Sequence, residues 1–333
     1  MAAAPRENRT NIRGDTLRAF LGILVAIAVV LVGGYFYLSV PEIPRATLEA
    51  KYARPPSQFL ALKDVPRVHY RDQGPKNAPV LVLVHGSNAS LFTWEPWVAR
   101  LGDSFRIVTV DMPAHGLTGA AKDKNCYSQQ GMAEFVNAFA DKIGLRKFAI
   151  GGNSMGGGVA ARFAEDYPDR VTALVLVDAG GMPVKAGDHV PIGFRIARIP
   201  VLNKLMVHLT PRSLFAEGLH DSFNHQNLVT PAMIDQYWEL NRMEGTPEAT
   251  MERFQIPFDT YIKDHTSRIK APTLILWGAK DHLIPVAAAY EYQKAIPGSK
   301  LIVYPDGGHI LQEDEADKSA ADAKAFLTSV LHS

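Results

Sequence analysis

Six short runs constrain this chain more than any other feature. They lie at 79–85 (PVLVLVH), 106–111 (RIVTVD), 147–151 (KFAIG), 171–178 (VTALVLVD), 272–277 (PTLILW) and 300–304 (KLIVY). Each is rich in β-branched residues and nearly unbroken in apolar character, as a strand covered on both faces should be. Amphipathic stretches separate them. Residues 129–144 place Met132, Phe135, Val136, Phe139 and Ile143 on one stripe, with Ser128 as the expected N-cap. Residues 155–167 and 316–331 read as two more helices. Repeated strand–helix units imply an α/β fold, a mostly parallel central sheet flanked by helices, over 67–181 and 271–333.

The alternation breaks across 182–270. That stretch has no convincing buried strand but carries three Thr-Pro pairs, Thr210-Pro211, Thr230-Pro231 and Thr246-Pro247. Threonine at the N-cap with proline at the first helical position marks a helix start. A mostly helical cap over one edge of the sheet is expected there. Residues 39–66 carry Pro41, Pro44, Pro55, Pro56 and Pro66 and read as a partly extended linker.

Ahead of the linker, 19–38 (AFLGILVAIAVVLVGGYFYL) holds no charge. At about 1.5 Å per residue, these residues span roughly 30 Å, the thickness of a bilayer core. Arg6, Arg9, Arg13 and Arg18 precede them against Glu7 and Asp15, whereas the charges that follow balance. The positive side stays in the cytoplasm. The expectation is a cytoplasmic tail over 1–18, a membrane anchor over 19–38 and an extracytoplasmic body, periplasmic or extracellular. A cleaved signal sequence, which would leave a secreted body, is the competing reading. Against it, the apolar run exceeds the usual ~7–15 residues, and LSVPEIP offers no clear small-x-small site.

Composition excludes other classes. With 47% hydrophobic and 21% charged residues, this is an ordinary globular chain rather than a disordered one. A net charge of +1, with no basic stripe, argues against nucleic acid as a partner. The single cysteine, Cys126, cannot form an intrachain disulfide, and no Cys/His cluster has zinc-ligand spacing.

The chemistry points to GGNSMGGG at 151–158, one serine among five glycines. Gly152 to Gly156 match G-x-S-x-G between an expected strand and an expected helix. There the serine occupies a strained turn at the carboxyl edge of the sheet, and the glycines relieve the close approach of strand and helix. Ser154 is then exposed at a helix N-terminus, where partial positive charge favours a developing anion. A serine needs a base, and the base an orienting acid. His309 follows the last run in YPDGGHILQED, and Asp281 follows another in LILWGAKDHLIP, giving the order Ser, Asp, His. Asp178, also at a strand end, is the alternative acid; His282 reads as solvated. The oxyanion site calls for backbone amides. Met155 supplies one, and the 85–88 loop (HGSN) the other, from Ser87 or alternatively Asn88. His85 and the 111–116 turn (DMPAHG) read as braces.

Together these residues resemble the α/β-hydrolase superfamily from about 67 to 331. The resemblance rests on the HG loop at 85–86, the D-x-P-x-x-G turn at 111–116, GNSMGG at 152–157, Asp281 and His309. Ala114 stands where many members carry glycine. The nucleophilic serine sets the chain apart from the dehalogenases and epoxide hydrolases of this fold, which use aspartate. GNSMGG is similar to the meta-cleavage-product hydrolases, which break carbon–carbon bonds. Those enzymes typically carry HGSGPG and a tryptophan after the histidine, where this chain has HGSNAS and Ile310.

The resemblance implies hydrolysis of carboxylic esters of small to medium apolar substrates, with no metal or organic cofactor. Carbon–carbon hydrolysis and cofactor-free haloperoxidase or perhydrolase activity stay open. So does a catalytically silent binding module or a membrane receptor. The expected partners are a small-molecule ester and, through the N-terminal helix, the membrane. Trp94 and Trp238 are the expected substrate contacts, with Trp97, Met206, Phe215 and Phe254 as further candidates for the pocket wall.

Overall fold

The computed structural model describes residues 9–183, 199, 203–204, 207–256 and 261–331. All six apolar runs are strands. They are β3 (Val80–Val84), β4 (Arg106–Val110), β5 (Phe148–Asn153), β6 (Val171–Val177), β7 (Thr273–Gly278) and β8 (Lys300–Tyr304). Two further strands, β1 (Gln58–Leu60) and β2 (Val68–Gln73), add an antiparallel edge, and the sheet order is β1-β2-β4-β3-β5-β6-β7-β8. From β4 to β8 every neighbouring pair is parallel.

The two-faced burial predicted from composition is visible residue by residue. On β3, Val82 and Val84 pack into one cluster with Met132, Phe139, Val159 and Tyr292. Leu81 and Leu83 point the other way, into a cluster with Trp97, Leu101, Ala323 and Leu327. Alternating side chains of one strand therefore feed two cores, and each fully buried Leu or Val contributes ~1.5–3 kcal/mol. The expected helices form at Gln129–Lys142, Met155–Asp166 and Ala316–Leu331. Ser128 caps the first, its hydroxyl accepting from the Gly131 amide at 3.0 Å.

The sheet order reverses direction between β3 and β5, which pair through Val84 and Gly152. Ligands of open α/β sheets bind in the crevice beyond such a reversal. The loop after β3 and the turn after β5 are thereby set side by side. At the neighbouring position, the pairing of Gly278 with Tyr304 brings together the segments that follow β7 and β8.

Residues 39–66 are not the extended linker that their prolines imply. Arg45–Tyr52 is a helix, and Gln58–Leu60 is β1. Pro44 and Pro55 bracket ten proline-free residues rich in helix formers, so here proline marks the ends of an element rather than an extended path. The segment is docked: Leu48 is buried with Leu91, Phe92, Leu117, Leu240 and Met243. The Val40 amide donates to the His208 carbonyl at 2.8 Å, and the Ile43 amide to that of Arg242 at 2.7 Å. Upstream, Arg9–Leu38 is one helix. Within it, Thr16–Leu38 is long and apolar enough to cross a membrane, and none of it is covered by the body.

Of the 182–270 cap, the described residues form helices Arg212–Ser222, Pro231–Leu240, Thr246–Gln255 and Tyr261–His265. Only the middle Thr-Pro pair behaves as expected. The Thr230 hydroxyl accepts from Met233 with Pro231 as the first helical residue. Elsewhere the register slips by one: Pro211 and Gly245 occupy the cap positions.

Candidate active site

Ser154 has φ +54° and ψ −121°, a left-handed conformation that costs a non-glycine residue energy. Its neighbours show why glycine surrounds it. A Cβ on Gly152 would run into the Gly156 carbonyl, and one on Gly156 into the carbonyls of Val84 and His85. Gly157 lies against Ala179, and Gly158 against the Gly180 carbonyl. The turn is held by backbone bonds from Ser154 N to Val177 O at 3.1 Å and from Gly180 N to Ser154 O at 2.8 Å.

His309 and Asp281 meet through His309 Nδ1 and Asp281 Oδ2, 2.7 Å apart and buried. Asp281 Oδ1 accepts from the amides of Leu283 and Ile284 at 2.8 and 2.9 Å, which fixes the carboxylate. An imidazole whose Nδ1–H is held by a carboxylate keeps Nε2 as its proton acceptor. Asp178, the alternative acid, does not reach the histidine. It accepts from the Gly278 amide at 2.7 Å, and its other oxygen is buried without a partner. Burial, with the Asp281 carboxylate nearby, pushes Asp178 well above the usual carboxylate range. His282 is exposed.

The His309 loop is tied on several sides. Asn153 Nδ2 donates to the His309 carbonyl at 2.9 Å, and the His309 amide to Ser222 O at 2.8 Å. Asp314 accepts from the amides of Gly308 at 2.6 Å, His225 at 2.8 Å and Asn224 at 3.2 Å. Sequence reasoning missed Asp314, because nothing in its spacing distinguishes it from a helix-start carboxylate. Asn153 was legible as part of the serine motif, but not as a link to the histidine.

His85 braces the loop it opens. Its Nδ1 bonds to Gly86 O at 2.8 Å, and its Nε2 accepts from the Met112 amide at 3.0 Å. Burial lowers its pKa, so the ring stays neutral, as those two bonds require. Asp111 accepts from Leu91 and Leu117 at 2.7 and 2.8 Å and pairs with His69 at 2.7 Å. Burial opposes its charge, but His69 and these donors hold it below the ordinary carboxylate range. Ala114 in this turn has φ +67°, the conformation that glycine adopts without strain.

A cavity of about 340 Å³ lies over these loops. Ser154, His309, Asn153, Gly86, Ser87 and Asn88 form its floor. Leu214, Phe215 and Leu219 of helix Arg212–Ser222 form one wall, and Pro247, Thr250, Met251 and Phe254 of helix Thr246–Gln255 another. Phe215 and Phe254 are thus where expected, whereas Met206 lies outside the described residues.

The two tryptophans are not at the cavity. Trp94 is fully buried, edge-on to Trp97 at 5.2 Å between ring centroids, in the core beneath the sheet. Trp97 donates to Ser319 Oγ at 2.9 Å. Trp238 turns away, donating to the Thr210 carbonyl at 2.8 Å, with the Arg242 guanidinium over its ring. Its neighbour Tyr237 lines the cavity instead. Ile234, Tyr237 and Asn241 recur at helical spacing on one face, so the pattern was present in the sequence. The Tyr237 hydroxyl donates to Glu313 at 2.6 Å, and burial pushes the Glu313 carboxyl up to about 7.

The comparisons agree with this arrangement. Residues 79–316 match the alpha/beta hydrolase fold family. Over 94% of this chain and 81% of the relative's length, it is 29% identical to the dihydrolipoyllysine-residue acetyltransferase component of the acetoin cleaving system of Cupriavidus necator. It is 26% identical to the 2-hydroxy-6-oxo-6-phenylhexa-2,4-dienoate hydrolase of Burkholderia cepacia, over 75% of this chain and 87% of that one. A solved membrane phospholipase A, described as a bacterial virulence factor, superposes with a TM-score of 0.67 at 24% identity, covering 95% of this chain and 99% of that one. A family match across most of the body, a sheet in the order found here and a serine turn beside a histidine–aspartate pair lead to one conclusion: this chain belongs to the α/β-hydrolase fold family.

Proposed function

We propose that this hydrolase cleaves carboxylic esters of small to medium apolar substrates through an acyl-enzyme formed on Ser154. The observation that carries the reading is the strained Ser154 turn and the Asp281-held His309 opening onto one cavity. His309 Nε2 takes the Ser154 proton as the hydroxyl oxygen attacks the ester carbonyl. The amides of Met155 and Ser87, with Asn88 as the alternative to Ser87, donate to the oxyanion, each worth ~3 kcal/mol in such sites. Collapse expels the alcohol, which carries off the proton from His309. Water then hydrolyses the acyl-serine with His309 as base. Asp281 holds the imidazole and stabilises its charged form.

The apolar wall of Leu214, Phe215 and Leu219 supports an apolar acyl group. The N-terminal helix supports anchorage, with the arginines ahead of its apolar 19–38 stretch in the cytoplasm and the body outside. Val207 lines the cavity, and the neighbouring His208 carbonyl receives the Val40 amide, two residues past the end of that helix. The lining of the cavity is therefore linked to the end of that helix. Together with the likeness to a membrane phospholipase A, this favours esters taken up at a bilayer surface.

Fluorophosphonate labelling of the full chain in detergent is expected to be strong and to vanish in Ser154→Ala. Hydrolysis of chromogenic esters is expected to fall at least ~1,000-fold in the same variant. Full esterase activity in Ser154→Ala would overturn the reading. The carbon–carbon alternative draws on the Burkholderia relative, and turnover of a vinylogous diketone well above that of simple esters would establish it instead.

A further inference from the structure

We propose that Arg253 is a positioning residue for the oxyanion site, presenting an uncompensated positive charge behind Ser87 and Met155. The inference rests on the ester-hydrolase reading above, because those two residues matter only if their amides receive an oxyanion.

Arg253 lies in the last turn of helix Thr246–Gln255, with its guanidinium 4.3 Å from the Phe254 ring centroid. Nη1 donates to Ser87 Oγ at 3.1 Å and lies 3.7 Å from Met155 Sδ. One cation thus touches both residues assigned to the oxyanion site, one from each of two loops that adjoin at the sheet edge. Nε and Nη2 are shut off from solvent and have no acceptor among the described residues. No carboxylate lies within ion-pair distance among the described residues. Arg71, Arg106 and Arg162, by contrast, each meet one, at 2.5, 2.9 and 2.6 Å.

Burying a charge without a partner is costly, and chains normally avoid it by pairing. Burial lowers the Arg253 pKa to about 10, which still leaves the group charged at neutral pH. The neighbouring rings do not offset it. His85 and His115 are both held neutral by burial, and the Arg253 charge itself disfavours their protonation. The field at the Ser87–Met155 edge is therefore positive in the resting enzyme. It gains a counter-charge only when the ester carbonyl becomes an oxyanion. A fixed charge of this kind favours the transition state over the neutral ester, so its loss should appear in kcat rather than KM.

The test uses the full chain in detergent and a neutral short-chain ester. Arg253→Gln is expected to lower kcat about 30-fold, less than the ~100- to 1,000-fold for loss of a direct oxyanion donor because Arg253 acts from behind Ser87 and Met155, with KM changed less than about threefold. Affinity for a boronic acid that forms a tetrahedral anion on the serine should fall by a similar factor. Arg253→Lys, which keeps the charge and loses the planar fork, should recover most of both losses. Ser87→Ala, which keeps the amide but removes the hydroxyl that Arg253 grips, should lower kcat about threefold and serves as the second variant if Arg253→Gln fails to fold. A kcat within twofold of the parent in Arg253→Gln, with Ser154→Ala still inactive, overturns the inference and leaves the hydrolase reading standing. Equal losses in the Gln and Lys variants, with boronate affinity unchanged, would make Arg253 merely structural and also overturn it. A loss seen only as raised KM for anionic esters would assign the cation to substrate binding instead. Activity surviving in Ser154→Ala would bring down the underlying reading.

Discussion

Helices Arg212–Ser222 and Thr246–Gln255 line the same cavity but are built differently. The first is largely exposed: Leu214, Glu217, Gly218 and Asp221 are open to solvent, and only Leu219 and Ser222 are buried. The second buries Thr246, Pro247, Ala249 and Thr250 against the body. The first meets the site at its C-terminal end, where Ser222 receives the His309 amide and Asn224 and His225 donate to Asp314. The second presses on the loops directly, Ala249 against Ala114 and Tyr127, and Arg253 against Ser87 and Met155. A wall exposed over most of its length can change its side chains at little cost, whereas each residue of the buried wall answers to a loop beneath it. Substrate preference should therefore reside in the first helix and turnover in the second.

The sharpest way to break this contrast is to cut the Asp314 tie at the end of the exposed wall. Asp314→Ala removes a buried carboxylate that accepts from three backbone amides, leaving all three donors unsatisfied. The expected loss is about 3 kcal/mol or more, read as a fall in Tm of roughly 6–12 °C. The freed His309 loop should lower kcat/KM about 100-fold. Loss of stability with full activity would show that this end of the wall does not govern the histidine. A smaller effect is expected within the wall. Phe215→Ala should lower kcat/KM about tenfold for longer acyl esters and less than twofold for acetyl esters, since only a longer chain reaches the ring. A chain-length series with p-nitrophenyl esters reads this directly. An equal loss for all chain lengths would move Phe215 from substrate selection to support of the site.

The contrast also separates what the sequence shows from what it hides. The parallel sheet was legible because six strands covered on both faces write a continuous apolar signal. The edge strands β1 and β2 were not: Val68–Gln73 reads VHYRDQ, a pattern no different from a polar loop. The serine turn was legible through its glycines, each of which answers to a backbone clash. The Asp281–His309 pairing followed from strand ends, yet Asp178 sits at an equivalent strand end, and only its contacts, the Gly278 amide rather than His309, set it apart. The pocket walls were read worst. Trp94 and Trp238 are expected at the pocket, but an aromatic ring serves a core as well as a cavity, and the helix phase that selects Tyr237 over Trp238 depends on where the cap docks. Arg253 left no mark, because a missing counter-ion is a property of packing and never of sequence.

The smallest effect tests where the buried wall touches down. Ala114 holds φ +67° in the 111–116 turn and packs its methyl against Ala249 and Tyr127. The left-handed backbone costs an alanine about 1–2 kcal/mol relative to glycine. Ala114→Gly relieves that strain, but it loses a buried methyl worth ~0.8 kcal/mol and frees the unfolded chain by ~0.5–1 kcal/mol. The contributions nearly cancel, so denaturant unfolding should show a net change within about 1 kcal/mol and an unchanged m-value. Steady-state kinetics should match the parent. A destabilisation beyond about 2 kcal/mol, with lowered kcat, would mean that the Ala114–Ala249 contact seats the helix that carries Arg253. Ala114 would then be a docking residue, kept in spite of its strained backbone.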